Sequence, residues 1–271
     1  MAEKLVSARR ADYLRRRARK TRRIRAWQAA LLLGLFALWE LSTRLGWSDG
    51  FLISSPSRMA ATAAELWRSG QLWRHVGVSA LETVVGFTAG TALGTAIAVC
   101  MWWWEDLSRV LDPYLVVLNA LPKTALGPIF IVWMGAGTGA IVAMTLAISL
   151  IVTILNMYQG FRHTDEEKIR LLRSLGATRG QILRLLVFPA NCATLLATLK
   201  VNVGLSWVGV IMGEFLVSRA GLGYLIVYGS QVFNMDLVMA SVLLLAVAAV
   251  AMYYLVLAAE HYLDRLWGVT P

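Results

Sequence analysis

Apolar residues in this chain gather into long runs separated by short polar stretches, instead of alternating with polar ones. A helix needs about 20 apolar residues to cross a bilayer core, and the runs predict six such spans. The first extends from about Trp27 to Trp47, flanked by Arg25 and Arg44, whose long side chains can snorkel to the interfaces. The second covers about Val76 to Trp104 and closes on Trp102, Trp103 and Trp104, an interfacial aromatic belt. The third reaches from about Leu111 to Trp133, interrupted by Pro122 and Pro128. After a turn at Gly135, Ala136 and Gly137 the fourth runs to about Tyr158, the fifth covers about Asn191 to Val217, and the sixth about Leu237 to Tyr262. The expected fold is an all-α integral membrane protein with six transmembrane helices. Its expected parts are a basic cytoplasmic N-terminal segment (1–26), a first span with an outer amphipathic segment carrying Pro56 (27–75), a five-span core (76–262) containing a polar loop at 159–190, and a cytoplasmic tail (263–271).

Composition agrees. Of the 271 residues 58% are hydrophobic and 15% charged, where a soluble domain carries about 25% charged, so a single soluble fold is excluded. The net charge of +10 is concentrated before the first span: from Lys4 to Arg25, Lys4, Arg9, Arg10, Arg15, Arg16, Arg17, Arg19, Lys20, Arg22, Arg23 and Arg25 face only Asp12. A basic block can signal nucleic acid, but next to a span it fits anionic lipid of the cytoplasmic leaflet better. No small-residue cleavage site follows it, so the first span is expected in the mature protein. With six spans both termini fall on one side. The basic N-terminus and the basic 159–190 loop are then both cytoplasmic, as the positive-inside rule requires. Cys100 and Cys192 have no partner at ligand spacing, and His75, His163 and His261 are scattered, so no metal site is expected.

The 159–190 loop carries the densest local signals. Thr164-Asp165-Glu166-Glu167 has the form of a capping box, with Thr164 as cap and Glu167 reaching back. Ile169, Leu172 and Leu175 form one apolar stripe, and Gly176 can take the left-handed conformation that ends a helix. Thr178-Arg179-Gly180-Gln181 repeats the capping pattern and starts a second helix through Ile182, Leu185 and Leu186 to Pro189. The exposed stripe calls either for a partner or for the chain's own bundle.

The Gly176 to Pro189 spacing, with Leu186 and Phe188 before the proline, is similar to the cytoplasmic EAA loop of binding-protein-dependent ABC permeases. Leu121-Pro122-Lys123-Thr124-Ala125-Leu126-Gly127-Pro128, continuing to Ile131-Val132-Trp133-Met134-Gly135, resembles the nitrate, sulfonate, taurine and bicarbonate branch of that family, as does Gly221-Leu222-Gly223-Tyr224-Leu225-Ile226. The resemblance covers about Ser79 to the C-terminus. One departure is Arg170, at the position of the family's Glu, followed by Leu171 and Leu172 where alanines are usual.

The resemblance implies a type I importer permease in a bacterial inner membrane, taking a small polar or anionic solute (sulfonate, nitrate, taurine, bicarbonate or a vitamin precursor) from an extracytoplasmic binding protein. It implies a second permease copy and a dimer of ATPase subunits, with ATP and Mg on the ATPase, no cofactor on this chain and no catalytic residue. No phosphate-binding G-x-x-x-x-G-K-[ST] loop is present. The implied coupling element spans Asp165, Glu166, Glu167, Ile169, Arg170, Leu172, Arg173, Leu175, Gly176 and Ala177. A self-contained secondary transporter or channel would instead predict inverted repeats, and a membrane enzyme a cluster of polar residues at the bilayer edge; neither pattern is found.

Within the spans, Glu82, Gly86, Gly90 and Gly94 recur on one helical face, a spacing that lets helices approach closely. Ionisable residues in a span are costly and face the protein interior or a water-filled cavity. Glu82, Lys123, Lys200 and Glu214 are therefore candidates for the translocation path, with Pro122, Pro128, Asn202 and Trp207 beside them. The lysines either offset charge on an anionic substrate or pair with a carboxylate such as Glu82 or Glu214.

Overall fold

A computed structural model describes residues 2–267 and contains helices and loops only, without a strand among the described residues. In chain order the helices are α1 (Ala2–Arg44), α2 (Gly50–Ile53), α3 (Pro56–Arg68), α4 (Gln71–Trp103), α5 (Glu105–Ala120), α6 (Gly127–Met134) and α7 (Thr138–Arg162). They continue as α8 (Glu166–Ser174), α9 (Arg179–Ile182), α10 (Phe188–Ala190), α11 (Cys192–Val217), α12 (Leu222–Gln231) and α13 (Met235–Trp267). Five of these are long and apolar enough to cross a membrane: α1 over Arg19–Arg44, α4, α7, α11, and α13 over Met235–His261. A sixth crossing exists if α5 and Lys123–Met134 count as one. The chain divides into two compact units, residues 1–62 and 63–271.

In the first unit the basic block and the first apolar run form one continuous helix, with no break at the expected 26/27 boundary. Leu31, Leu33, Leu35 and Leu38 of α1 are exposed, a surface suited to lipid. Near its end Glu40 binds Arg44 at 2.8 Å and accepts from the Ser57 backbone N–H at 3.0 Å and the Ser57 hydroxyl at 2.8 Å, which caps the start of α3.

The second unit is built around α4, α7 and α11. Gly86, Gly90 and Gly94 of α4 lie against Thr145, Ser149 and Thr153 of α7, and a Cβ at any of the three would overlap those side chains. Gly209 and Gly213 of α11 meet Thr145 and Ile141 in the same way. The three helices approach closely because small residues face each other.

The third predicted span, Leu111 to Trp133, is corrected: α5 and the Lys123–Met134 segment meet at 92°. Pro122 disfavours helix at Leu121, which is extended (φ −65°, ψ 138°), and the chain re-enters helix through a tight turn at Lys123–Leu126. The amphipathic segment 48–74 is helical as α2 and α3, and α4 begins at Gln71, five residues before the expected start. Of the expected tail, 263–267 continue α13, and 268–271 lie outside the described residues.

Candidate coupling and translocation sites

The polar loop folds as the local signals require, with one change of cap. Asp165, not Thr164, is the N-cap of α8: its Oδ1 accepts from the backbone N–H groups of Glu167 at 3.0 Å and Lys168 at 3.4 Å. Thr164 is buried and its hydroxyl instead accepts from Asn191 Nδ2 at 2.9 Å. Burial pushes the Asp165 carboxyl up, but the Glu167 and Lys168 amides together with the Lys168 ammonium outweigh it and hold the group below its ordinary value.

At the other end Gly176 has φ +83°, its N–H donates to the Arg173 carbonyl at 3.0 Å, and the Ala177 N–H reaches back to the Leu172 carbonyl at 3.0 Å. This is the Schellman arrangement, which satisfies two carbonyls the helix would otherwise orphan. Thr178 and Gln181 then form a reciprocal capping box, with the Thr178 N–H donating to Gln181 Oε1 at 2.8 Å. The second helix is not regular. After α9 the turn widens into a π segment at Leu183–Val187, just before Pro189, which lacks an N–H and whose ring repels the carbonyl four residues earlier.

The apolar stripe is shared between the two alternatives. Ile169, Leu172 and Ala177 pack on a core of Ala98, Met157, Phe161, Ile182 and Val187. Leu175 is 74% exposed, with Leu171 at 59% and Leu185 at 67%. The helix pair is thus anchored to its own bundle on one face and bare on the other. Arg179 ties it further by donating to the Trp103 carbonyl at 2.7 Å. Arg170, the departure from the family pattern, pairs with Glu166 at 2.8 Å, and both side chains are exposed.

Inside the bundle the ionisable residues are placed differently from one another. Glu82 and Glu214 are each 1% exposed and their carboxyl groups face one another. Glu214 accepts from the Ser79 hydroxyl at 2.5 Å and from the Gly223 N–H at 2.5 Å. Ser79 Oγ also accepts from the Leu222 N–H at 2.8 Å, and His75 Nδ1 accepts from the Gly221 N–H at 3.0 Å. Gly221 has φ +123° and lies so close to the Glu214 carboxyl that no side chain fits. These bonds, with Tyr224 stacked on His75 at 5.9 Å, clamp the Gly221–Tyr224 motif between α4 and α11.

The lysines find other partners. Lys200 pairs with Glu260 of α13 at 2.8 Å, which is the pairing alternative, met by a carboxylate other than Glu82 or Glu214. Lys123 Nζ donates to the Asn119 carbonyl at 3.0 Å, at the corner between Pro122 and Pro128. Both prolines are exposed. Asn202 is fully buried and donates to Thr91 at 3.1 Å and Thr153 at 2.7 Å, joining α4, α7 and α11. Trp207 packs with Phe87 and Val203. The eight path candidates therefore split into an interior group (Glu82, Asn202, Trp207, Glu214), a paired lysine (Lys200), and a corner at this chain's surface (Pro122, Lys123, Pro128).

Sequence reasoning missed Ser79, His75, Asn191 and Glu260. Ser79 stands one turn before Glu82, and Glu260 sits at the same end of the bundle as Lys200 once α11 and α13 run antiparallel. Both spacings were available. Asn191 carries no local signal, because its partners, Thr164 and the Val187 carbonyl at 2.8 Å, meet it only in the folded loop.

Comparison with known proteins follows this geometry. Residues 89–268 match the family described as binding-protein-dependent transport system inner membrane component. The aliphatic sulfonates transport permease SsuC of Bacillus subtilis, a putative assignment in its own name, is 26% identical over 82% of this chain and 81% of its own length. The formylaminopyrimidine transport permease ThiX of Halalkalibacterium halodurans is 29% identical over 71% of this chain and 76% of its own. A chain of the inward-facing MetNI methionine ABC transporter shares the fold at a TM-score of 0.62 and 19% identity, covering 75% of this chain and 98% of that one.

Proposed function

Because this chain belongs to the family of binding-protein-dependent transport system inner membrane components, we propose that α8 is the handle through which a separate ATPase drives the bundle. The chain is the permease of an ABC importer, a multi-pass subunit of the inner membrane and not an enzyme. In the proposed cycle, two copies enclose the path, two ATPase subunits grip one α8 each, and a binding protein delivers a small polar or anionic solute from outside. ATP and Mg stay on the ATPase, and both termini and the 159–190 loop lie in the cytoplasm. The corner at Pro122–Pro128 presents Lys123 to the path, where its charge meets an anionic group.

One observation carries this reading: a helix capped at both ends, anchored through Ile169 and Leu172, that leaves Leu171 and Leu175 bare beyond the spans. Bare leucines beside a rigid anchor suit a surface that transmits force. The test is a double variant, Leu171→Ser with Leu175→Ser, assayed for co-purification with the ATPase and for uptake. Loss of both at normal membrane expression is expected. Full uptake with the ATPase still bound removes α8 from the coupling role.

A further inference from the structure

We propose that the cleft between the α4–α5 junction and α8 seats the phosphate headgroup of an anionic membrane lipid. The cavity measures about 750 Å³ and is lined by Arg109, Arg162, Arg170, Arg173 and Arg179 against Glu105, Asp112 and Glu166. Two of these arginines are already paired, Arg109 with Glu105 at 2.7 Å and Arg170 with Glu166 at 2.8 Å. Arg179 is engaged by the Trp103 carbonyl. The guanidinium groups of Arg162 and Arg173, at the ends of α7 and α8, make no hydrogen bond or ion pair among the described residues. Two unpaired guanidinium groups on one cavity match a phosphate, which accepts from planar forks of N–H donors.

The surroundings select a lipid over a free anion. The cleft opens where two spans end, α4 at Trp103 and α7 at Arg162, beside Trp102 and Trp104, which is headgroup depth. From it the side of α5 that carries Arg109, Asp112 and Pro113 continues one turn on to Val116, which is exposed. That side of α5, with Pro113 and Val116, supplies apolar surface for an acyl chain beside a cationic seat, and only an amphiphile uses both. Placing the cleft in the cytoplasmic leaflet, where anionic lipids are enriched, rests on the coupling assignment of α8. The lipid seat itself does not.

The test uses the full chain, alone and with its ATPase, exchanged in detergent into an equal mixture of phosphatidylglycerol and phosphatidylcholine and examined by native mass spectrometry. Wild type is expected to retain phosphatidylglycerol preferentially. The double variant Arg162→Gln with Arg173→Gln is expected to lose that retention at least about tenfold, the loss of one charge-assisted hydrogen bond or more. The corresponding Lys variants are expected to keep part of it, and Arg184→Gln, off the cleft, all of it. Unchanged retention in the double variant, or an equal loss in Arg184→Gln, overturns the proposal. So does displacement of the lipid by millimolar inorganic phosphate, which would assign the cleft to a free anion, or by the docked ATPase, which would assign it to an acidic segment of that partner.

Discussion

At the scale of single residues, the energetics concentrate where a polar group is buried with no spare partner. Glu214 accepts from Ser79 and Gly223, so Glu214→Ala strips the acceptor from two buried donors. Each donor left unpaired costs about 1–3 kcal/mol, and thermal unfolding in detergent should show a loss of that order with the Gly221–Tyr224 loop opened to proteolysis. Asp165 gives a pH-dependent counterpart. Its carboxyl is held below the ordinary value in the folded loop. The cap therefore stabilises α8 fully above the unfolded carboxyl's pKa and fades as pH falls through the lower folded value. Hydrogen exchange at the Glu167 and Lys168 amides should speed up, beyond its intrinsic pH dependence, only below the usual carboxylate range, and in Asp165→Asn that acid step should vanish. Placement of these groups was only partly legible. Glu82 and Glu214 stood out because charge in a span is rare, whereas their mutual approach depends on α4 meeting α11 and leaves no local trace.

At the scale of elements, glycine decides two features. Gly176 ends α8 with a left-handed residue, a conformation that costs a side-chain-bearing residue about 1–2 kcal/mol. Gly176→Val should lower uptake while leaving the spans intact, measured as transport per unit of membrane-inserted protein. Gly90 faces the Ser149 side chain across the α4–α7 contact. Gly90→Leu forces those helices apart, at about 1–3 kcal/mol for overpacking, and the yield of folded protein after extraction should fall. The capping box at Thr178–Gln181, the glycine turn and the small-residue ladder are short-range patterns, so the sequence displayed them in advance, whereas the cap of α8 falls on Asp165 instead of Thr164. The 92° corner between α5 and Lys123–Met134 was legible only as a proline interruption, because prolines mark where a helix breaks but not its angle.

Across the whole molecule, the five long apolar helices and the family followed from hydropathy and three ordered motifs. The partner of Lys200 did not, because Glu260 is 60 residues away and reaches it only when α11 and α13 lie side by side. Both side chains are partly exposed, so breaking the pair costs less than a fully buried bridge would. Lys200→Met alone should destabilise by about 1 kcal/mol, and adding Glu260→Gln should restore part of that in a double-mutant cycle. Uptake that stays low in the restored double variant would give Lys200 a place in the path as well.

The widened turn at Leu183–Val187 holds one residue more than a regular helix would. A further residue inserted there would find that bulge already used, and at 3.6 residues per turn everything upstream would swing by about 100°. Leu171 and Leu175 would then point away from the direction they now face. In that stretch the length of the chain is under tighter constraint than its spelling, and conservative swaps should be tolerated where a one-residue insertion is not.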